Sequence, residues 1–284
     1  MHCNYVVVVV LYNKQVAAST TLSTLADYDF KTAKLIIHNN GPQSIKLDAT
    51  SEKAFQQRFG KIELNNCLDN PSLSVIYNRY IHSHPEAEKF VLLDDDTTIN
   101  ETFQQALLKG GADVECPKII SVFDKETYYP MSHNAVVADA EVLDPLSAVS
   151  IGSGLIIRRS LVDKFRQHGL ALFDEHYALY GVDTSFFRRI HLLARKGVAI
   201  TLSTTCYLTH SLSRTEGAMN DFRRKERIWD LAISTRQYPS VRGYYVFLKR
   251  VLSDLCAFKF RDTFLLISAF IAGRHPKCRT LKNQ

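Results

Sequence analysis

An apolar run that ends abruptly in acid, Phe90-Val91-Leu92-Leu93 followed by Asp94-Asp95-Asp96, constrains this chain more than any other stretch. Four apolar residues without alternation are the pattern of a strand buried on both faces of a parallel sheet. The three acids then stand at its carboxyl end, where open α/β sheets put their ligands. If extended geometry persists, the period of two sends Asp94 and Asp96 one way and Asp95 the other. Like charges ~4 Å apart repel by about 4 kcal/mol at an effective dielectric of 20, and a divalent cation relieves that cost. Oxygen ligation suits Mg2+ or Mn2+, completed by substrate phosphates. The plainer alternative is a solvated acidic turn ahead of a helix. Thr98 and Glu101 fit a capping box, and Ile99, Phe103, Ala106 and Leu107 give the next segment an apolar face before Gly110-Gly111. Capping accounts for Thr98 and Glu101, but not for three acids at the end of a buried strand.

The segments before the acids alternate between strand and helix. Residues 5–11 (YVVVVVL) are β-branched and apolar on both faces, as a central parallel strand requires. The spacing predicts a helix over 15–26, a strand at 35–37 closed by the turn His38-Asn39-Asn40-Gly41-Pro42, a strand over 61–64 and a helix over 72–82 after Asp69-Asn70-Pro71. This is the opening of a Rossmann-like nucleotide fold, and the lack of a GxGxxG points to a mononucleotide held with a metal rather than to a dinucleotide.

Further on, the sequence predicts a strand over 118–123, a polar stretch with Tyr128-Tyr129-Pro130 and His133-Asn134, and a glycine-bearing strand over 151–157. There Gly154 serves either close packing or the approach of a ligand. Ser160 with Asp163 is expected to cap a short helix. A second dense motif, Phe173-Asp174-Glu175-His176-Tyr177-Ala178-Leu179-Tyr180-Gly181-Val182-Asp183, leads into a helix with Asp183 near its amino end, where a cap is worth roughly 0.5 to 2 kcal/mol. Strands are expected over 198–203 and just before His210.

Taken in order, VVVVVLYN, LIIHNNGP, DNPSLSVIYN and FVLLDDDT resemble the amino-terminal half of the family 2 glycosyltransferases, enzymes of the GT-A fold with nucleotide-sugar donors. The resemblance covers roughly residues 4–215 and implies an α/β fold with a mainly parallel, helix-flanked sheet. It implies a donor site from Leu11, Tyr12, Asn13, Asn39, Asn70, Asn78, Asp94 and Asp95, with Mg2+ or Mn2+ on Asp94, Asp96 and His210. Asn39 stands where the family usually has an aspartate, and its amide can still pair with a base edge. The segment from Phe173 to Arg189 is similar to the acidic motif that supplies the family's catalytic base, with Val182 in place of the first acid and Asp183 kept. Asp183 is therefore the expected base, and Gly154, Glu175 and Tyr180 the expected acceptor side. The implied activity is inverting transfer of a sugar, UDP-hexose favoured and dTDP-rhamnose next, to a saccharide or lipid-linked acceptor of a bacterial surface polysaccharide such as O-antigen.

Charge divides the chain at about residue 221. Residues 222–284 hold 14 Lys and Arg against 4 Asp and Glu, while residues 1–221 hold 21 against 25. A catalytic domain over 1–221 and a basic helical extension over 222–284 follow. Basic residues interleaved with Tyr244, Tyr245, Phe247, Phe258, Phe260, Phe264 and Phe270 suit an anionic membrane surface, or packing on the protein itself or a second subunit. No stretch resembles a nucleic-acid-binding motif, so no nucleic-acid partner is expected. Six scattered cysteines without a CxxC indicate neither a disulfide framework nor a zinc knuckle, and a reducing cytoplasm is the expected setting, with docking on the inner face of the plasma membrane. Residues 5–11 lack the features of a leader, and residues 263–273 fall far short of the ~20 a membrane span needs. Two other readings compete. A sugar-phosphate nucleotidyltransferase would need a basic phosphate-binding loop early in the chain, where only Lys14 is available. A non-catalytic basic protein facing lipid or nucleic acid would have no use for buried acids.

Overall fold

A central strand flanked by parallel neighbours on both sides explains the opening run of valines. In chain order the elements begin β1 (Tyr5–Leu11), α1 (Thr20–Leu25), β2 (Phe30–Asn39), α2 (Ala49–Arg58), β3 (Phe59–Asn66), α3 (Leu73–Ser83) and β4 (Lys89–Leu93). They continue β5 (Thr97–Thr98), α4 (Glu101–Lys109), β6 (Val114–Glu115), β7 (Lys118–Ser121), β8 (Thr127–Tyr129), β9 (Met131–Ser132), β10 (Ala135–Val136) and β11 (Val142–Leu143). After β12 (Ile156–Arg158) come α5 (Arg159–Gln167), α6 (Val182–Arg195), β13 (Leu202–Ser203), β14 (Tyr207–His210), α7 (Asp221–Gln237), α8 (Val241–Cys256) and α9 (Phe260–Ala272). This computed structural model describes residues 3–137, 141–212 and 220–278, so 279–284 of the expected extension lie outside the described residues.

The chain forms two compact units. The first comprises Met1–Asn70, Arg79–Leu172 and Arg189–Glu216, the second Pro71–Asn78, Phe173–Arg188 and Gly217–Gln284. The first unit is built on an eight-stranded sheet of order β11-β13-β6-β12-β4-β1-β2-β3. Strands β3, β2, β1 and β4 run parallel, and β12 is antiparallel to β4. Val6 to Leu11 and Phe90 to Leu93 are buried throughout, as the unalternating pattern of strands covered on both faces requires. The register sets Leu11 beside Asn39 and Val9 beside Leu93, so the exits of β2, β1 and β4 lie along one edge of the sheet. A smaller sheet of order β5-β14-β7-β8 follows the acids, with Thr97 paired to His210.

Several local expectations are corrected. The helix predicted over 15–26 is a 3-10 turn at Val16–Ala18 followed by the short α1, because Ser19 interrupts it and caps α1 through Leu22 N. Helix α2, weakly amphipathic and polar, was not legible from periodicity. Helix α4 is capped by Asn100, whose side chain accepts from Phe103 N, rather than by Thr98. Helix α5 has Arg158 at its cap without a side-chain hydrogen bond, and Ser160 donates instead to Asp113. Of the strand expected over 151–157, only Ile156 and Ile157 pair as such, since Gly154 has a φ of +89°.

In the second unit α7, α8 and α9 pack around Ile228, Ala232, Phe247, Leu266 and Ala269. The fold class is thus α/β, a mainly parallel helix-flanked sheet with a basic helical C-terminal extension.

Candidate active site

The acids leave β4 and enter a turn whose backbone is held from two sides. Thr21 Oγ1 donates to Asp94 O (2.6 Å), Ser19 Oγ to Asp95 O (2.9 Å), and Thr97 N to Thr21 Oγ1 (2.9 Å). On the other side Asp94 N donates to Ser153 Oγ (3.0 Å). With the turn fixed, the side chains diverge. Asp95 meets Lys14 Nζ at 2.6 Å, whereas Asp94 and Asp96 turn toward His210.

The imidazole is buried. His210 Nδ1 lies 2.9 Å from Thr97 Oγ1 and 3.2 Å from Asp96 Oδ1, and Nε2 lies 4.0 Å from Asp94 Oδ2. Thr97 Oγ1 in turn contacts Ser153 Oγ at 2.8 Å. One ligand atom from each of Asp94, Asp96 and His210 falls within 4.8 Å of the others, a spacing a single divalent ion can bridge. Asp96 Oδ1 is buried and makes no hydrogen bond, although His210 Nδ1 lies 3.2 Å away, a costly state for a carboxylate oxygen that ligation would remove. Burial foremost, against the attraction of His210 and with the repulsion of Asp94 and Asp95, pushes the Asp96 pKa up to about 6. Burial likewise raises that of Asp94, although 44% of its side chain is exposed and water relieves part of the cost. Carboxylates that resist their own charge fit a divalent cation.

The neighbouring strand exits are tied together. Asn13 N donates to Gly41 O (2.7 Å) and Asn40 N to Leu11 O (2.8 Å), leaving Tyr12 exposed beyond Leu11. Both amide hydrogens of Asn39 are engaged, with Gln43 O and Asn66 Oδ1 at 2.7 Å each, and its Oδ1 accepts from Gly41 N. Only a lone pair of that oxygen remains for a base edge. Asn70, with a φ of +47°, accepts from Asn40 Nδ2 at 3.1 Å. The missing side chain of Gly154 is explained by its backbone, whose φ of +89° disfavours any side chain, with Leu208 Cδ1 only 2.3 Å from where a Cβ would lie.

The second unit holds the remaining predicted residues. Asn78 clamps the Phe173-Asp174-Glu175 segment, donating to Phe173 O (2.8 Å) and Glu175 Oε1 (2.9 Å) and accepting from Phe173 N. Buried Asp174 accepts from Tyr238 Oη at 2.7 Å and meets His176 Nδ1 at 2.6 Å. The Arg227 guanidinium lies 5.9 Å from the Tyr180 ring centroid. At Gly181, with a φ of +88°, a Cβ would strike the Tyr177 ring and Asp230 Oδ1, so glycine is required where the chain turns into α6. Asp183 then stands half-buried in the first turn of α6.

The chain aligns in three dimensions with crystal structures of S. aureus TarS. TarS 1-349 gives a TM-score of 0.55 at 16% sequence identity, covering 96% of this chain and 93% of that one. The same protein in complex with UDP-GlcNAc gives 0.56 at 15% identity, covering 97% and 82%. TarS is a family 2 glycosyltransferase of the GT-A type. This chain has the GT-A fold. It spans half the length of the longer TarS structure, at a TM-score of 0.55 and 16% identity. No protein-family model matches the sequence, and no curated protein sequence does.

Within this GT-A chain the hydroxyls of Thr97, Ser153, Ser19 and Thr21, which hold the acidic turn, were missed from sequence. Their one trace was the small-residue pattern Gly152-Ser153-Gly154, which reads equally as packing.

Proposed function

We propose that the protein is an inverting glycosyltransferase that takes its sugar from a nucleotide-sugar donor. The observation that carries this is the Asp94, Asp96 and His210 cluster at the carboxyl edge of a GT-A sheet. TarS, which shares the fold, has been crystallised with UDP and with UDP-GlcNAc, which supports a UDP-sugar such as a UDP-hexose here; dTDP-rhamnose is the second candidate on sequence resemblance alone. The acceptor is a saccharide, free or lipid-linked, of a bacterial surface polysaccharide.

Asp94, Asp96 and His210 would hold Mg2+ or Mn2+. A divalent ion there would supply Lewis-acid stabilisation of the charge that develops on the departing nucleotide. Asp95 turns to Lys14, which offsets part of the repulsion it exerts on that cluster. Leu11, Tyr12 and Asn13, with Asn39 and Asn70, shape the strand exits that receive the nucleotide. Asp183 accepts the proton of the acceptor hydroxyl as that oxygen bonds to the anomeric carbon and the bond to the diphosphate oxygen breaks. Attack from the face opposite the leaving group inverts the anomeric centre. Glu175 and Tyr180 line the acceptor side.

The test is incubation with UDP-, dTDP- and GDP-sugars plus Mn2+, following slow donor hydrolysis. Release of a nucleoside diphosphate from one donor, abolished by chelator, is the expected result. Release of pyrophosphate from a nucleoside triphosphate and a sugar phosphate would instead make it a nucleotidyltransferase.

A further inference from the structure

Helices α8 and α9 each carry an uncovered apolar stripe. On α8 the exposed residues Val241, Tyr245, Leu248, Leu252 and Leu255 recur at alternating steps of four and three. Phe260, Phe264, Ile267 and Ile271 repeat that spacing on α9. Such steps put each set on a single face of its helix. The opposite faces are spoken for, since Phe247 of α8 and Leu266 and Ala269 of α9 enter the core around α7. In the connection between the helices Phe258 is 79% exposed, and its ring lies 6.1 Å from that of Phe260, the first member of the α9 stripe. A soluble monomer rarely leaves apolar surface of this extent uncovered.

The charges beside these stripes have one sign. Asp254 and Asp262 are the acidic residues between 241 and 272, and both are buried. Arg250 Nε lies 2.6 Å from Asp254, and Arg224 Nη1 binds Asp262. That leaves Arg242, Lys249, Lys259 and Arg261 as the exposed charges of this hairpin. Aromatic and aliphatic stripes rimmed by lysine and arginine alone are complementary to an anionic lipid surface, with the rings entering the acyl boundary and the cations meeting the headgroups. A two-fold contact with a second copy would bring the same cations face to face. No helix among the described residues is long and apolar enough to cross a membrane, so the mode is to lie on it.

We propose that the α8–α9 hairpin is a membrane-docking face that seats this protein on an anionic bilayer through Tyr245, Leu252, Phe258, Phe260 and Phe264, with Lys249, Lys259 and Arg261 on the headgroups. This stands independently of the glycosyltransferase reading. Arg224 and Arg250 belong to the fold of the hairpin, so replacing them tests folding rather than docking.

The full chain is sedimented with phosphatidylglycerol-containing vesicles and with phosphatidylcholine vesicles, at low and high salt. Binding to the anionic vesicles alone, weakened by salt, is expected. Each basic residue near the surface is worth about five-fold in affinity, so Lys249→Glu/Lys259→Glu/Arg261→Glu should lose at least about a hundred-fold. Phe258→Ser/Phe264→Ser, at sites 79% and 75% exposed, keeps the melting temperature and removes the binding that survives high salt. Equal binding to both vesicle types, or none to either, overturns the proposal. So does a concentration-dependent dimer in light scattering, abolished by the phenylalanine pair in a chain that ignores vesicles, which gives the face to a second copy.

Discussion

Asp254 and Asp262 in the C-terminal hairpin are buried carboxylates, Asp94 and Asp96 beyond β4 half-buried ones, and the two pairs are balanced in opposite ways. In the hairpin each has an arginine close by, Arg250 on Asp254 and Arg224 on Asp262. Beyond β4 the basic group nearest to both is one imidazole, and burial raises the pKa of both acids. Permanent arginines make a charge part of the fold. Carboxylates left short of positive charge store repulsion that an arriving cation releases. The same residue type therefore marks architecture in one unit and chemistry in the other.

Removing one member of each set separates them most sharply. Asp96→Ala should bring transfer to background and abolish metal-dependent donor binding, with a melting temperature at or above that of the unmodified chain, because a crowded charge is lost. Near-normal turnover in the presence of chelator would show that the cluster holds no catalytic ion. Asp183 is the intermediate case, a half-buried carboxylate in the first turn of a helix that also serves as a base in our proposal. Asp183→Asn should bind donor normally and lose turnover by ~10² or more, since the amide keeps an oxygen toward the helix but cannot accept the proton. Retained activity, with Asp183→Ala lowering only the melting temperature, would make it a cap.

In the hairpin the losses should appear in stability. Arg224→Ala leaves Asp262 buried with only the more distant Arg250, at 3.9 Å, to offset it. A cost of about 3 kcal/mol is expected, the low end for breaking a buried pair because Arg224 itself is one-third exposed. Donor hydrolysis by the folded fraction should not change. Denaturant unfolding measures the first and hydrolysis the second, and a selective loss of hydrolysis would blur the distinction between the two sets.

How much of this was legible in the sequence follows from the range of the interactions involved. The strands β1 and β4 were readable because burial on both faces leaves unbroken apolar runs, and the acids because nothing local explains them. The β5–β14 pairing that sets His210 against Thr97 joins positions more than a hundred residues apart, so no window of sequence contains it. Helix α2 was missed for the opposite reason, since Phe55 is its one buried residue and gives no periodicity to detect. Ser153 was overlooked between two glycines because a hydroxyl that accepts one backbone hydrogen bond leaves no pattern. The basic character of residues 222–284 was visible, but the pairing of Arg224 and Arg250 with buried acids, which sorts structural cations from exposed ones, needed the fold.

The smallest expected effect lies at the one lysine of the acidic turn. Lys14 and Asp95 are 31% and 19% exposed, so their ion pair should contribute under ~1 kcal/mol to stability, and Lys14→Met should fold almost as well as the parent. Its electrostatic effect runs the other way. Lys14 lowers the pKa of Asp96, easing the repulsion that a cation would otherwise relieve. Without it the carboxylates attract Mn2+ more strongly, and calorimetry should record a gain of a few-fold in affinity, again under ~1 kcal/mol. Weaker Mn2+ binding would mean that Lys14 holds the turn in shape through Asp95, and that the acidic turn, like the hairpin, depends on a fixed cation.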